Sequence, residues 1–161
     1  MELLEDFKIV NSVGEDLGKV KEVFFNVDNW TVSGFEISPG IFKKDRLLKI
    51  EDVKDFRYDE KLMIVGDDFE ASELPSVATR ELFSFDDLRK KDVVDNQGEK
   101  IGRIYNMEIP YEKLKNLTVW KILVRTGFME RRLRIAPADI VRVMEDIKVR
   151  MSLEDIEKKL E

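Results

Sequence analysis

The sequence predicts an all-β protein: two tandem small β-barrels, a short linker between them and a short C-terminal helix. Three observations predict it. The stretch VNSVGEDLGKV (residues 10–20) recurs as VDNQGEKIGRI (residues 94–104), a spacing of 84 residues in a chain of 161. Apolar residues alternate with polar ones through most of both halves, the pattern of half-buried strands. The length suits one ordinary domain or two small ones, each near the size where a single core becomes marginal. The expected division is a first barrel over residues 1–66, a linker over 67–84, and a second barrel with the helix over 85–161.

Each copy opens on a turn. Asn11 or Asp95 is followed three residues later by Gly14 or Gly98. An Asx side chain bonds its own downstream backbone, and glycine supplies positive φ without a Cβ clash. A second glycine, Gly18 or Gly102, then leads into an alternating run: Val20, Val23, Phe25 and Val27, or Ile104, Met107 and Ile109. The period slips once in each run, which predicts a β-bulge and a bent strand. TVSGFEI (31–37) then matches TVWKILV (118–124), now 87 residues apart. Three residues have been added, and they fall in YEKLKNL (111–117), a polar connection where insertion costs little.

Further on, GIFKKDRLLKIEDV (40–53) lies opposite GFMERRLRIAPADI (127–140), and each copy closes on a strand, a turn and a returning strand. Five or six short strands per copy predict a small closed or nearly closed barrel. Between the copies, the stretch from Gly66 to Leu82 breaks the rhythm with acidic and small residues and Pro75. It reads as a linker that offers Phe69, Leu74 and Val77 for docking on one barrel. Ser84 and Asp87 have capping-box spacing and predict a helical turn; Ser152 and Asp155 repeat the signature. After Ser152, Leu153, Ile156 and Leu160 fall at i, i+3 and i+7, a short amphipathic helix whose apolar stripe needs cover.

Composition removes most chemistry. The chain has no Cys and no His, so thiolate, imidazole and ordinary zinc-site chemistry are excluded. The carboxylates at Asp28, Glu51, Asp52, Asp67, Asp68 and Glu70 read as turn and edge positions, and no catalytic, cofactor-binding or metal-binding residue is assigned. Gly14, Gly18, Gly98 and Gly102 read as structural turn residues. Their G-x-x-x-G spacing lacks the Lys-Ser/Thr ending of a P-loop and the G-x-G-x-x-G of a dinucleotide turn. With 43% apolar and 39% charged residues the chain reads as globular, with a surface rich enough in charge for heat-adapted ion-pair networks. MELLEDFKIV at the N-terminus is unlike a signal peptide, and no apolar run is long enough to span a bilayer, so a cytoplasmic protein is expected.

Charge divides unevenly. Residues 1–80 carry net −7 and residues 81–161 net +1, with cations gathered at Arg125, Arg131, Arg132 and Arg134. These read as a solvated strand face or as a site for an acidic partner. Trp30 and Trp120 read as core or interface residues, because base stacking needs a positive field and the chain has net charge −6. Ile41-Phe42 and Phe128-Met129 each follow a glycine and precede charge. Either one member of each pair points into its barrel, or the pairs are contact patches. Together with Leu153, Ile156 and Leu160 they form the candidate interface.

The pattern V-N/D-x-x-G-E-x-L/I-G-K/R-V/I, followed by a strand pair and a strand closing on Asp52-Val53 or Asp139-Ile140, resembles the PRC-barrel family. That family is named for the cytoplasmic domain of the photosynthetic reaction-centre H subunit, and it also supplies the C-terminal half of the ribosome maturation factor RimM. The resemblance covers residues of about 3–65 and 85–151. The closing strand of the family often reads V-P-W; here Pro137 keeps the proline, Ile50 replaces it in the first copy, and neither copy has the tryptophan. What remains resembles stand-alone archaeal PRC-barrel proteins, among them the cell-division proteins of the CdpB group. The resemblance implies a non-enzymatic protein-protein interaction module, an adaptor in FtsZ-based division that binds a SepF-type membrane anchor and is recruited by it to the membrane or division site. Open strand edges and surplus apolar surface imply a homodimer. Two other readings stand beside this one: an RNA- or ribosome-associated factor, and a small-molecule barrel, which would need an enclosed pocket.

Overall fold

Residues 4, 6–40, 44–74, 82–110, 117–126 and 132–159 are described by a computed structural model. Among them the alternating segments form strands in two sheets, with only short helices. The first sheet begins with β1 (Lys8–Val10), β2 (Asp16–Asn26), β3 (Thr31–Ser38) and β4 (Arg46–Lys49). A 3-10 turn at Ile50–Asp52 leads to β5 (Val53–Arg57) and β6 (Leu62–Val65). β7 (Ser72–Glu73) and β8 (Phe83–Ser84) complete it. The order is β5-β6-β1-β2-β3-β4-β7, with β8 beside β2; neighbours are antiparallel except β1 and β6.

The second sheet holds β9 (Val93–Val94), β10 (Lys100–Glu108), β11 (Lys121–Thr126) and β12 (Arg132–Ile135). After a 3-10 turn at Pro137–Asp139 come β13 (Ile140–Val143) and β14 (Ile147–Val149). Its order, β12-β11-β10-β9-β14-β13, retraces the path of β4 to β5, and the parallel pair β9 and β14 corresponds to β1 and β6. Register matches residue for residue. Ile9 lies opposite Gly18 and Met63; Val93 lies opposite Gly102 and Ile147. Phe35 faces Leu48, and Ile122 faces Ile135. The expected bulges are present at equivalent places, between Val20 and Glu22 and between Ile104 and Asn106.

The chain divides into two compact units, one of residues 2–85 with 111–117, the other of residues 86–110 with 118–161. In the first unit Phe24, Phe25, Phe35, Ile9, Leu48 and Met63 are buried; in the second Met107, Ile122, Val124, Ile147 and Val149 are. Each such side chain contributes roughly 1.5–3 kcal/mol through removal from water. Phe7 stacks on Phe56, ring centroids 5.3 Å apart, which fastens β5 to the core.

Two parts of the first unit depart from a plain repeat. The stretch between the copies is partly strand: Ser72 and Glu73 lie opposite Leu47 and Arg46, and Phe83 and Ser84 lie opposite Phe25 and Phe24. Val77, offered above for docking, lies outside the described residues. Leu117, the last residue of the connection that holds the three added residues and the counterpart of Trp30, is also built into this unit. It is buried, and its carbonyl accepts the Val32 N–H at 2.8 Å. The connection therefore ends on a core residue that also meets a backbone donor. Helix α1 (Phe85–Lys90) buries Leu88, and helix α2 (Leu153–Lys159) follows β14.

Candidate functional site

The repeated turns have one geometry. Asn11 Oδ1 accepts the N–H groups of Val13 and Glu15 at 3.2 and 2.9 Å; Asp95 Oδ1 accepts those of Gln97 and Glu99 at 2.9 and 2.7 Å. Gly14 and Gly98 share φ of +87°, and a Cβ on either would meet open space. Gly18 and Gly102 sit inside β2 and β10 rather than in turns. There a Cβ would fall 2.5 Å from the Ser38 carbonyl oxygen and 2.0 Å from that of Arg125.

One atom separates the two turns. Asp95 is 2% exposed, and its second carboxylate oxygen accepts the Leu153 N–H at 2.9 Å, at the start of α2. Burial pushes this carboxyl up, but the backbone N–H groups of Leu153, Glu99, Gln97 and Gly98 outweigh it and hold it below the usual carboxylate range. Ser152 caps the same helix, its Oγ accepting the Asp155 N–H at 3.1 Å. Held in this way, α2 buries Ile156, which is 1% exposed. This corrects the expectation that Ile156 belongs to an interface: the chain itself covers it. Leu153 is half-buried. Ile41, Phe42, Phe128, Met129 and Leu160, the rest of the candidate interface, lie outside the described residues.

The units differ most on one sheet face. In the first, the bulged residue of β2 is Lys21, and its ammonium lies 2.6 Å from Asp45. Hydrogen bonding to Asp45 and the nearby Glu36 charge raise the Lys21 pKa. Because Lys21 is well exposed, Asp45→Asn is expected to shift the unfolding free energy in urea by less than about 1 kcal/mol. In the second unit the equivalent residues are Tyr105 and Arg132. The Arg132 and Arg125 guanidinium carbons lie 5.6 and 5.5 Å from the Tyr105 ring centroid. Arg103, Arg125 and Arg132 are register neighbours across β10, β11 and β12. Arg103 pairs with Asp92 and Arg134 with Glu108, whereas Arg125 and Arg132 have no carboxylate in salt-bridge range among the described residues. Arg134 also lies 5.9 Å from the ring centroid of Trp120, which is 61% exposed. The two tryptophans are thus unlike: Trp30 is buried with φ of +54°, and Trp120 is a surface residue.

Other surfaces are plainer. Val141 and Met144, at β13, are 63% and 60% exposed where the first unit carries Lys54 and Arg57. Reading the two copies against each other at this edge would have shown the change from cationic to apolar. An open groove of about 550 Å³ is lined by Pro39, Lys44, Arg46, Glu70 and Ala71; it is not an enclosed cavity of the kind a small-molecule barrel needs. Among the described residues no three acidic side chains are placed to share a metal ion, and no helix is long and apolar enough to cross a membrane.

The part of the first sheet from β1 to β6, with its parallel β1 and β6, glycine-led β2 and 3-10 turn before β5, falls within the match to a known domain. Residues 2–70 are a PRC-barrel domain. PRC-barrel domains are in general non-catalytic interaction or adaptor modules. The PRC-barrel match ends five residues past β6, so β7 and β8 lie beyond it. No curated protein matches the chain.

Proposed function

We propose that the chain is a non-catalytic adaptor made of two PRC-type barrels, residues 1–66 and 85–161, joined by residues 67–84. The observation that carries the adaptor reading is the PRC-barrel domain at residues 2–70. Shared strand order and register support extending it to the second sheet. The resemblance to the archaeal CdpB group supplies the finer reading: a cytoplasmic scaffold of FtsZ-based division, brought to the division site by a SepF-type anchor. A homodimer fits it, since β13 is an edge strand with Val141 exposed on it and Met144 exposed just after it, and a two-fold contact covers both copies of such an edge at once. Dimerisation would also present each anchor site twice, which raises avidity at a polymeric ring.

Light scattering at micromolar concentration tests the dimer, with an expected mass of about twice 18.9 kDa. Phe42→Asp combined with Phe128→Asp is expected to weaken the dimer or capture of a purified SepF-type anchor. A monomer whose anchor capture ignores both changes would remove the basis for this reading. The arginine face around Tyr105 favours a second reading, an RNA-associated factor. A gel shift that weakens steeply between low and moderate salt would support it.

A further inference from the structure

We infer that the outer edge of β12, unpaired among the described residues, accepts an extended acidic segment of a partner protein as an added strand. The inference rests on the interaction-module reading and gives it a location and a ligand chemistry. The chain carries its own template. In the first unit the strand equivalent to β12 is β4, and β7 covers it, antiparallel, with Ser72 opposite Leu47, the counterpart of Arg134, and Glu73 opposite Arg46, the counterpart of Leu133. After β14, by contrast, the chain turns into α2, and among the described residues β12 pairs with β11 alone. An uncovered edge presents unpaired N–H and C=O groups that suit another strand.

Side chains specify which strand. Arg132 and Arg134 are exposed and two residues apart, so they stand on one face of β12. An incoming strand would place alternate residues opposite them; a carboxylate there would pair with Arg132 and join Glu108 at Arg134. Arg125 and Tyr105 extend the cationic surface inward, and Arg132 has no carboxylate of its own among the described residues. A second copy paired edge to edge would set arginine against arginine, which disfavours it. RNA would leave the edge amides unanswered, and it would approach a chain of net charge −6.

The probe is a fluorescein-labelled nine-residue peptide alternating glutamate with valine or threonine, titrated into the full chain by anisotropy. Binding is expected to weaken at least tenfold with Arg132→Glu plus Arg134→Glu, and likewise with the milder Arg132→Ala plus Arg134→Ala should the first pair fold poorly. N-methylation of alternate peptide amides should abolish it, and amide exchange over residues 132–135 should slow in the complex. Equal binding by the lysine counterpart, indifference to the arginines, or indifference to N-methylation would overturn the inference. So would an oligouridylate that binds more tightly through the same arginines, or a dimer that the same substitutions dissolve. A chain that dimerises and captures its anchor while ignoring the peptide would keep the adaptor reading and lose this one.

Discussion

Gly102→Ala is expected to lower the stability of its unit by about 3 kcal/mol, the upper part of the range for forced overpacking. The added methyl would stand 2.0 Å from the Arg125 carbonyl oxygen, 2.8 Å from its carbon and 3.0 Å from Thr126 Cα. All three are backbone atoms of β11, so no rotamer change relieves the clash, and β10 and β11 must move apart. Gly18→Ala should cost a similar amount for two smaller reasons combined. Its methyl meets the Ser38 carbonyl oxygen at 2.5 Å, and its φ of +133° is a conformation that alanine adopts only under strain. Gly14→Ala and Gly98→Ala are the controls: φ of +87° with open space around the Cβ leaves a conformational cost of about 1 kcal/mol. Thermal melts should rank the four accordingly, Gly18 and Gly102 losing on the order of 10 °C or more and the turn glycines far less. Equal losses at all four would mean that backbone conformation, not strand approach, is what these positions protect.

How far the sequence is legible follows from the range of the signal. The glycines, the Asx turns, the bulges after Val20 and Ile104 and the order of the strands are local patterns written twice, and repetition separates them from chance. β7 and β8 are two-residue strands, too short to carry alternation, and their pairing is set by the partners they meet. Leu117 reads as part of a polar connection because the segment's composition says nothing of where its last residue lands. The arginine face was visible as a cluster. Its meaning depends on Tyr105 replacing Lys21 and Arg132 replacing Asp45, and that comparison needs the strand register. Ile156 was misassigned because an amphipathic stripe reports that a face needs cover and not which chain covers it.

Asp95 ties a local turn to a distant helix, and substitutions there should separate the two. Asp95→Ala removes a buried acceptor from Gln97, Glu99 and Leu153 together, and is expected to cost roughly 3–4 kcal/mol, since hydrogen bonds to a charged group contribute about 1.5–3 kcal/mol each and are not additive. Asp95→Asn recreates the residue of the first copy. Its carbonyl still serves the turn, as Asn11 does, but its amide nitrogen cannot accept the Leu153 N–H, so about 1–2 kcal/mol should be lost and α2 should loosen. Hydrogen exchange should then rise over residues 153–159 and stay low at residues 97–99. The charge also gives a pH signature. The folded carboxyl titrates below its unfolded value of about 3.9, so its stabilisation is complete above that pH and is lost as pH falls through the folded value. The wild type should lose stability on acidification below pH ~4 more steeply than Asp95→Asn. Leu153→Pro completes the test, because proline suits the first position of a helix and removes only the donor from the backbone. Its cost should be clearly smaller in the Asp95→Asn background than in the wild type. Equal costs in the two backgrounds would show that the carboxylate does not hold the helix.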